Sequence, residues 1–247
     1  MFTVPTPVLL DLNTQRDLVY AEGSVPYFQG EKLIDPLRQV FTMANRAVMP
    51  VISTRLHNEV VPGQKYAGKR VCDPNSPGYQ KLPFMLLKKR IEWPLDCSTS
   101  LPIDGFRTTQ QFVFDLPSLN LFECPRLDRL LSESTVDMFI IVGGPLEWTL
   151  RTAVLGLLAR RHRVAVVSDA IAMWDPYEGD MAYRQVESKN IEWMTAAQAL
   201  ERFGVAPKVR TTRLLRSKNR AVQQVGSPVA PKTTTPAPSR ARGAYRV

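Results

Sequence analysis

The side chain best placed for chemistry in this sequence is Thr149, a hydroxyl at the start of a predicted helix. Residues 137–142 are a short apolar run typical of a buried parallel strand, and two glycines and Pro145 follow it. Leucines and alanines then recur at helical spacing over residues 147–161. Because open α/β sheets bind ligands beyond the carboxyl ends of their strands, we expect Thr149 to face such a crevice.

A threonine hydroxyl needs help to act as a nucleophile. It is far less acidic than a thiol, whose reference pKa is about 8.5, so one carboxylate is a weak activating base for it. Glu147 lies in the first turn of the same predicted helix. Its carboxylate could take part in acid and base chemistry, or it could simply complement the helix dipole, which is a common role for an acidic residue in a first turn.

The elements that would position these residues alternate between strands and helices. Strands are predicted near 7–12, 48–53, 110–115, 137–142, 163–168 and 191–194, and helices near 31–47, 125–134, 147–161, 180–188 and 195–203. About six parallel strands with interleaved helices predict a three-layer, doubly wound α/β sheet with helices on both faces.

Several segments together resemble the isochorismatase-like family of cysteine hydrolases, which includes nicotinamidases. They are residues 8–18, 51–57, 71–78, 112–122, 143–151 and 164–171, in the family's order and within about residues 5–205.

The resemblance implies a catalytic site in which an aspartate, a lysine and a cysteine act together. Asp11 matches the aspartate, whereas the lysine position falls on Leu116 and the cysteine position on Thr149. The resemblance therefore predicts a site that has lost two of its three catalytic groups. Four neighbours of Thr149 are expected to form the pocket and its turn: Gly144, Pro145, Glu147 and Trp148.

The same resemblance bears on backbone geometry and on metal binding. A cis peptide in this turn aims backbone amides into the family's site, and Gly144-Pro145 could keep that geometry, or Pro145 could be a trans proline that opens the helix. Some relatives bind a divalent metal through an Asp-x-His pair and a second histidine. Here Arg55 and Val71 replace two of those ligands and only His57 remains, so we expect neither a metal nor any other cofactor.

The remaining thiols and the second histidine are assigned no catalytic role. Cys72, Cys97 and Cys124 lie in predicted loops without paired spacing, and we expect unpaired thiols. Cys124 is the one that could approach the crevice. His162 stands between arginines at a predicted helix end, which favours a role at the helix dipole or in solvent.

We expect one domain over residues 1–206, with a long loop insertion at about 58–109, and a separate tail over 207–247. The tail carries ten basic residues from Lys208 onward and no acidic ones, which leaves 22 basic and 23 acidic residues, a net charge of −1, before it. Its prolines and threonines predict a largely disordered segment. It could bind nucleic acid or another polyanion, or it could be a solubilising extension without a partner.

The location and assembly follow from similar arguments. The sequence has neither an apolar run near 18 residues nor a signal-peptide pattern, so we expect a cytoplasmic protein without a transmembrane segment. By resemblance we expect a homo-oligomer.

Three functions stay open at the level of the sequence. The leading one is a catalytically inactive member of the resembled family that binds a small molecule or a partner in its crevice. The second is an active hydrolase of a small amide or ester that uses Thr149, a water activated by Asp11, or a carboxylate pair of Asp11 and Glu147. The third is a scaffold that binds nucleic acid through residues 208–247.

Overall fold

The computed structural model describes residues 2–4, 7–62, 66, 68–102 and 105–204. The predicted tail of residues 207–247, with its predicted disorder and polyanion binding, lies outside the described residues.

The described elements alternate along the chain. The strands are β1 (Phe2–Val4), β2 (Val8–Leu12), β3 (Val51–Leu56), β4 (Glu59–Val60), β5 (Arg70–Val71), β6 (Arg90–Trp93), β7 (Gln111–Leu116), β8 (Ser134–Val136), β9 (Phe139–Gly143), β10 (Val164–Ile171) and β11 (Glu192–Met194). The helices are α1 (Arg16–Val19), α2 (Ile34–Arg46), α3 (Pro125–Glu133), α4 (Arg151–Ala159), α5 (Pro176–Glu187) and α6 (Ala196–Phe203).

A seven-stranded parallel sheet forms the centre of the fold, in the order β11-β10-β9-β2-β3-β7-β6. Strands β3, β6 and β7 lie on one side of β2 and strands β9, β10 and β11 on the other, which places a topological switch point between β2 and β9. Ligands of doubly wound sheets bind at such a point, outside the carboxyl ends of the strands. The predicted α/β class and doubly wound sheet are confirmed.

The sheet has one strand more than the six predicted. Strand β6, at the edge of the sheet, lies inside the segment 58–109 that was predicted as a loop. Its residues alternate between exposed charged and half-buried apolar side chains, and charges of this kind protect an edge strand from pairing with another chain. The four-residue strand is too short for the periodicity to stand out.

The helices pack in pairs around the sheet, with α2 against α6 and α4 against α5. Helix α2 buries Leu37, Val40, Phe41 and Ala44, which recur at the three- and four-residue spacing of one helix face. Helix α5 begins at Pro176, earlier than predicted, because the Asp175 carboxylate caps it by accepting from two backbone amides.

The turn after β9 is built from three unusual backbone features. Gly143 has a φ of 88°, and a Cβ there would lie 2.0 Å from the Leu12 carbonyl oxygen, so only glycine fits. The Gly144-Pro145 peptide is cis. A π-helical turn, Leu146–Leu150, then leads into α4. Thr149 therefore lies in a π-helical turn rather than in a regular helix start.

No helix in the described parts of the chain has the length and apolar character needed to cross a membrane.

Candidate active site

A buried ion pair lies at the carboxyl end of β2. The Nζ atom of Lys81 is 2.9 Å from Oδ2 of Asp11, and both side chains are fully shielded from solvent. Lys81 also donates to the Thr54 carbonyl oxygen at 2.9 Å, and Oδ1 of Asp11 accepts from the Thr14 hydroxyl at 2.6 Å. Asp11 thus lies among cationic and hydroxyl partners.

Lys81 belongs to the long segment between β3 and β7, and Gln15 holds this segment in place. Its side-chain amide donates to the carbonyl oxygens of Leu56 and Tyr79, and its side-chain oxygen accepts from the Leu56 amide. Gln15 also forms an antiparallel bridge with Lys81. These bonds fasten the segment that carries Lys81 against the end of β3.

Thr149 is held by a hydrogen bond from Asn13. The side-chain amide of Asn13 donates to Thr149 Oγ1 at 3.1 Å and to the Gly144 carbonyl oxygen at 3.2 Å. The Asn13 side-chain oxygen accepts from the Thr54 hydroxyl at 2.7 Å. Asn13 has a φ of 50°, a left-handed conformation that asparagine tolerates, and its side chain is completely buried.

The hydroxyl of Thr149 and the carboxylate of Asp11 are not hydrogen-bonded to each other within the described residues. The Thr149 oxygen accepts from Asn13, and the Asp11 oxygens face Thr14 and Lys81. Activation of a nucleophile requires a base within hydrogen-bond reach. Asp11 and Thr149 are therefore not joined as base and nucleophile in this structure.

Two backbone amides of the turn after β9 donate hydrogen bonds to backbone carbonyl oxygens. The Gly144 amide donates to the Leu12 carbonyl oxygen at 2.9 Å, and the Leu146 amide donates to the Ala172 carbonyl oxygen at 2.7 Å. Pro145 has no amide hydrogen to offer. These bonds fix the turn to the ends of β2 and β10, so these two amides are not free to receive an oxyanion.

Glu147 faces the loop before α5 rather than Asp11. Its Oε1 accepts from the backbone amides of Trp174 at 2.6 Å and Asp175 at 3.0 Å. Burial raises the pKa of Glu147, although the amides that it accepts from oppose this shift. The carboxylate pair of Asp11 and Glu147 is not seen as a contact among the described residues, and the bonds of Glu147 give it a structural role.

Trp148 is half-buried beside Thr149 and borders a small open pocket of about 280 Å³. Glu59, Asn120 and Thr152 line the same pocket. The predicted pocket residue therefore lies at a concave surface, next to a nucleophile position that is itself closed to solvent.

The prediction that the lysine position falls on Leu116, with no lysine at the site, is corrected by Lys81. Leu116 ends β7, pairs with Leu56 of β3 and is fully buried in the apolar core. Strand β3 separates β7 from β2, which carries Asp11. The lysine beside Asp11 comes instead from the loop segment, where the sequence shows little periodicity.

Burial lowers the pKa of Lys81, and the neighbouring Asp11 opposes that shift. Tyr27 lies nearby and donates to the Asn13 carbonyl oxygen at 3.1 Å. Burial raises the pKa of Tyr27, which therefore stays a neutral hydrogen-bond donor.

Arg55 stands where the resemblance predicts the aspartate of a metal-binding Asp-x-His pair, and it contacts two carboxylates. Nε of Arg55 lies 2.7 Å from Oδ1 of Asp115, one of its terminal nitrogens lies 2.8 Å from Glu92, and its guanidinium packs over the Tyr79 ring. His57 Nδ1 is 3.9 Å from the other Asp115 oxygen. A covalently attached cation already neutralises the carboxylates, so these residues do not fit a divalent metal.

The three cysteines are unpaired, as predicted. Cys72 and Cys124 are buried and Cys97 is exposed. The Cys72 amide donates to Asp17, and burial raises the pKa of its thiol, so this sulfur stays protonated. The Nε2–H group of His162 donates to the Leu131 carbonyl oxygen at 2.8 Å.

The fold and site together define a class of protein: a doubly wound α/β domain with a buried acid and a buried lysine facing a strand-to-helix turn at the switch point of the sheet. A family model described as the isochorismatase domain matches residues 7–198. The chain belongs to the isochorismatase family, as the resemblance predicted.

Solved structures share this fold at low sequence identity. The pyrazinamidase of Pyrococcus horikoshii in complex with zinc is 20% identical, with a TM-score of 0.57 over 77% of this chain and 99% of that chain. A nicotinamidase/pyrazinamidase from Bacillus subtilis is 9% identical, with a TM-score of 0.60 over 76% and 99%. The MAR1 ribonuclease from Caenorhabditis elegans is 18% identical, with a TM-score of 0.52 over 79% and 80%. A comparison with curated proteins finds no match.

Proposed function

We propose that this chain is a non-catalytic member of the isochorismatase family, which binds a small molecule in the crevice between Asp11 and Thr149. The observation that supports the proposal is that the Asp11 carboxylate and the Thr149 hydroxyl are not hydrogen-bonded to each other. Thr149 accepts its hydrogen bond from Asn13, and the Asp11 carboxylate is engaged by Lys81 and Thr14. The charge pair of the crevice is retained while the thiol is missing.

Because the Asp11–Lys81 pair is present, fewer substitutions should be needed to restore hydrolysis. In the family a cysteine acts with an aspartate and a lysine, and Asp11 and Lys81 already lie together. The single substitution Thr149→Cys should therefore restore hydrolysis, because a thiol ionises far more readily than a hydroxyl and needs less help from a base. Leu116→Lys should add nothing, because it buries a charge in the core.

The test is hydrolysis of nicotinamide, pyrazinamide and a panel of simple amides and esters by the full chain. We expect a silent wild type and a Thr149→Cys variant whose turnover rises roughly 100-fold or more above background. Thr149→Ser, which keeps a hydroxyl, is the matched control and stays silent. A folded but inactive Thr149→Cys variant would contradict the retained site.

Binding of a small molecule can be tested separately from hydrolysis, by thermal unfolding. Nicotinamide and the other panel compounds should raise the melting temperature of the wild type, and Asp11→Asn should reduce that shift because it removes the crevice charge. A panel that leaves the wild-type melting temperature unchanged counts against a small-molecule crevice of this chemistry.

The second candidate is an active hydrolase, and the buried Asp11–Lys81 pair is the observation that favours it. Such an enzyme would use Thr149 or a water activated by Asp11. Wild-type turnover of any panel compound that disappears in Asp11→Asn would establish this candidate and overturn the first.

We also propose that the domain assembles as a homo-oligomer in the cytoplasm. The support is the resemblance to the family. Light scattering of the purified full chain gives the subunit number, and a monomeric mass at all concentrations would overturn the assembly.

A further inference from the structure

A second concave surface lies at the amino ends of the strands, whereas Asp11 lies near the carboxyl end of β2. It is a groove of about 750 Å³ between the last two turns of α2 and the segments that precede β6 and β7. Pro50, Lys89 and Gln110 mark its floor, just before β3, β6 and β7 begin. We call it the basic groove.

The basic groove carries charge of one sign. Five basic residues line it and no acidic residue does among the described residues that border it: Arg38, Arg46, Lys88, Lys89 and Arg107. All five are exposed. In the part of the chain that the structure describes, none of them forms an ion pair.

This segregation stands out because the chain before residue 208 is close to neutral, with 22 basic and 23 acidic residues. Elsewhere in the described structure arginines pair with carboxylates, as Arg126 does with Asp96 and Arg160 with Asp128. Unpaired cations on both walls of a groove produce a positive potential that attracts a polyanion.

Two aromatic rings line the groove among these cations. Phe84 and Phe106 are half-buried, and the Arg38 guanidinium lies 4.4 Å from the centre of the Phe84 ring. Guanidinium planes and aromatic rings are the groups on which unpaired bases stack, while lysines and arginines contact phosphates. Neutral donors such as Thr42 and Asn45 lie on the same face of α2.

We propose that the basic groove binds single-stranded nucleic acid, with the two walls contacting phosphates and Phe84 and Phe106 stacking on bases. Double-stranded helices keep their bases stacked on one another, so they cannot use these rings. The groove lies at the amino ends of the strands, so this binding site is separate from the crevice of Asp11 and does not depend on the function proposed there.

The test measures binding of fluorescent single-stranded RNA and DNA oligonucleotides of about 12 nucleotides, within the range of a single binding domain. The full chain is used, so the basic residues after 207 are present in every sample. The groove variant is Lys88→Gln with Lys89→Gln. The matched control removes two charges elsewhere, with Arg184→Gln and Lys189→Gln on exposed positions of the α5 region.

We expect the groove variant to bind roughly 10-fold more weakly at about 0.1 M salt, with a slope of log affinity against log salt that is smaller in magnitude by about 1.4. The control variant should bind as the wild type does. Equal affinities for the groove and control variants, or an absence of wild-type binding at low salt, would overturn the proposal.

A third variant separates stacking from charge. Phe84→Leu keeps an apolar side chain but removes the ring, so it should weaken binding about 10-fold while the salt slope stays unchanged. Circular dichroism checks that it folds. Wild-type affinity in this variant, or an equal affinity for duplex and single strand, would refute the assignment to single-stranded nucleic acid.

Discussion

Lys81 and Asp11 form a fully buried ion pair, with 2.9 Å between Nζ of the lysine and Oδ2 of the aspartate. Asp11 belongs to β2 of the central sheet, whereas Lys81 comes from the long segment between β3 and β7. A carboxylate and an ammonium in this position are stable only together, since either charge left alone would lack both water and a counter-ion. The pair therefore joins the long segment to the centre of the sheet.

The first prediction concerns the mutual dependence of these two charges. Lys81→Met should lower the free energy of unfolding by about 3–5 kcal/mol, because it leaves the Asp11 carboxylate buried without its cation. The double variant Lys81→Met with Asp11→Asn should lose less than the sum of the two single changes. Urea unfolding of the four proteins provides the double-mutant cycle, and strictly additive losses would contradict the coupling.

The second prediction concerns the arginine in the place of the metal. Arg55→Asp should create a site for a divalent cation, because it recreates the Asp-x-His pattern with His57 beside Asp115. Zn²⁺ should raise the melting temperature of this variant, and Co²⁺ should give it visible absorption. The wild type should respond to neither Zn²⁺ nor a chelator.

The control for this experiment is Arg55→Asp with His57→Ala, which removes one ligand and should weaken the metal response. A wild type that melts at a lower temperature after chelation would show that Arg55 does not replace the ion.

The third prediction is a pH dependence at Glu147. Its pKa in the folded protein is raised above the ordinary value of 4.5, so the folded state holds this proton more tightly than the unfolded chain does. The stabilising contribution is complete below about pH 4.5 and is lost as the pH rises through the raised folded pKa. Glu147→Gln cannot ionise, yet its side-chain oxygen can still accept from Trp174 and Asp175.

We therefore expect the stability of the wild type relative to Glu147→Gln to fall as the pH increases from 4.5. Urea midpoints of both proteins between pH 4.5 and 8 measure this difference, in which all other titrating groups cancel. A stability difference that stays constant across this pH range would rule out a raised pKa of Glu147.

The fourth prediction concerns thiol reactivity. Cys97 is exposed, whereas Cys72 and Cys124 are buried, and burial raises the pKa of both buried thiols. A thiol reagent should modify one cysteine per chain rapidly in the native protein and all three after denaturation. Cys97→Ser should abolish the rapid phase. A rapid phase that survives this substitution would show that a buried thiol is accessible.

Much of the fold could be predicted because its strands and helices are regular. The apolar runs at β2, β9 and β10 and the helical spacing of α2 lie close to their predicted positions. Asp11 lies near the carboxyl end of β2 and Thr149 in the turn after β9, and these two strands are neighbours in the sheet.

Other features of the site depend on contacts between distant segments. Lys81 reaches Asp11 through the bonds of Gln15 to Leu56 and Tyr79, and no periodic pattern near residue 81 reveals this. The basic groove combines residues of α2 with residues near 88 and 107, so its charge becomes visible only after folding.

Arg55 gives the end of β3 a positive charge that is part of the polypeptide itself. Its guanidinium is present as soon as the residue is synthesised, and it remains charged at every pH at which the protein is folded. A metal ion in the same place would have to be acquired from the cell and could be lost or exchanged. We therefore expect the end of β3 to fold without depending on the supply of free metal.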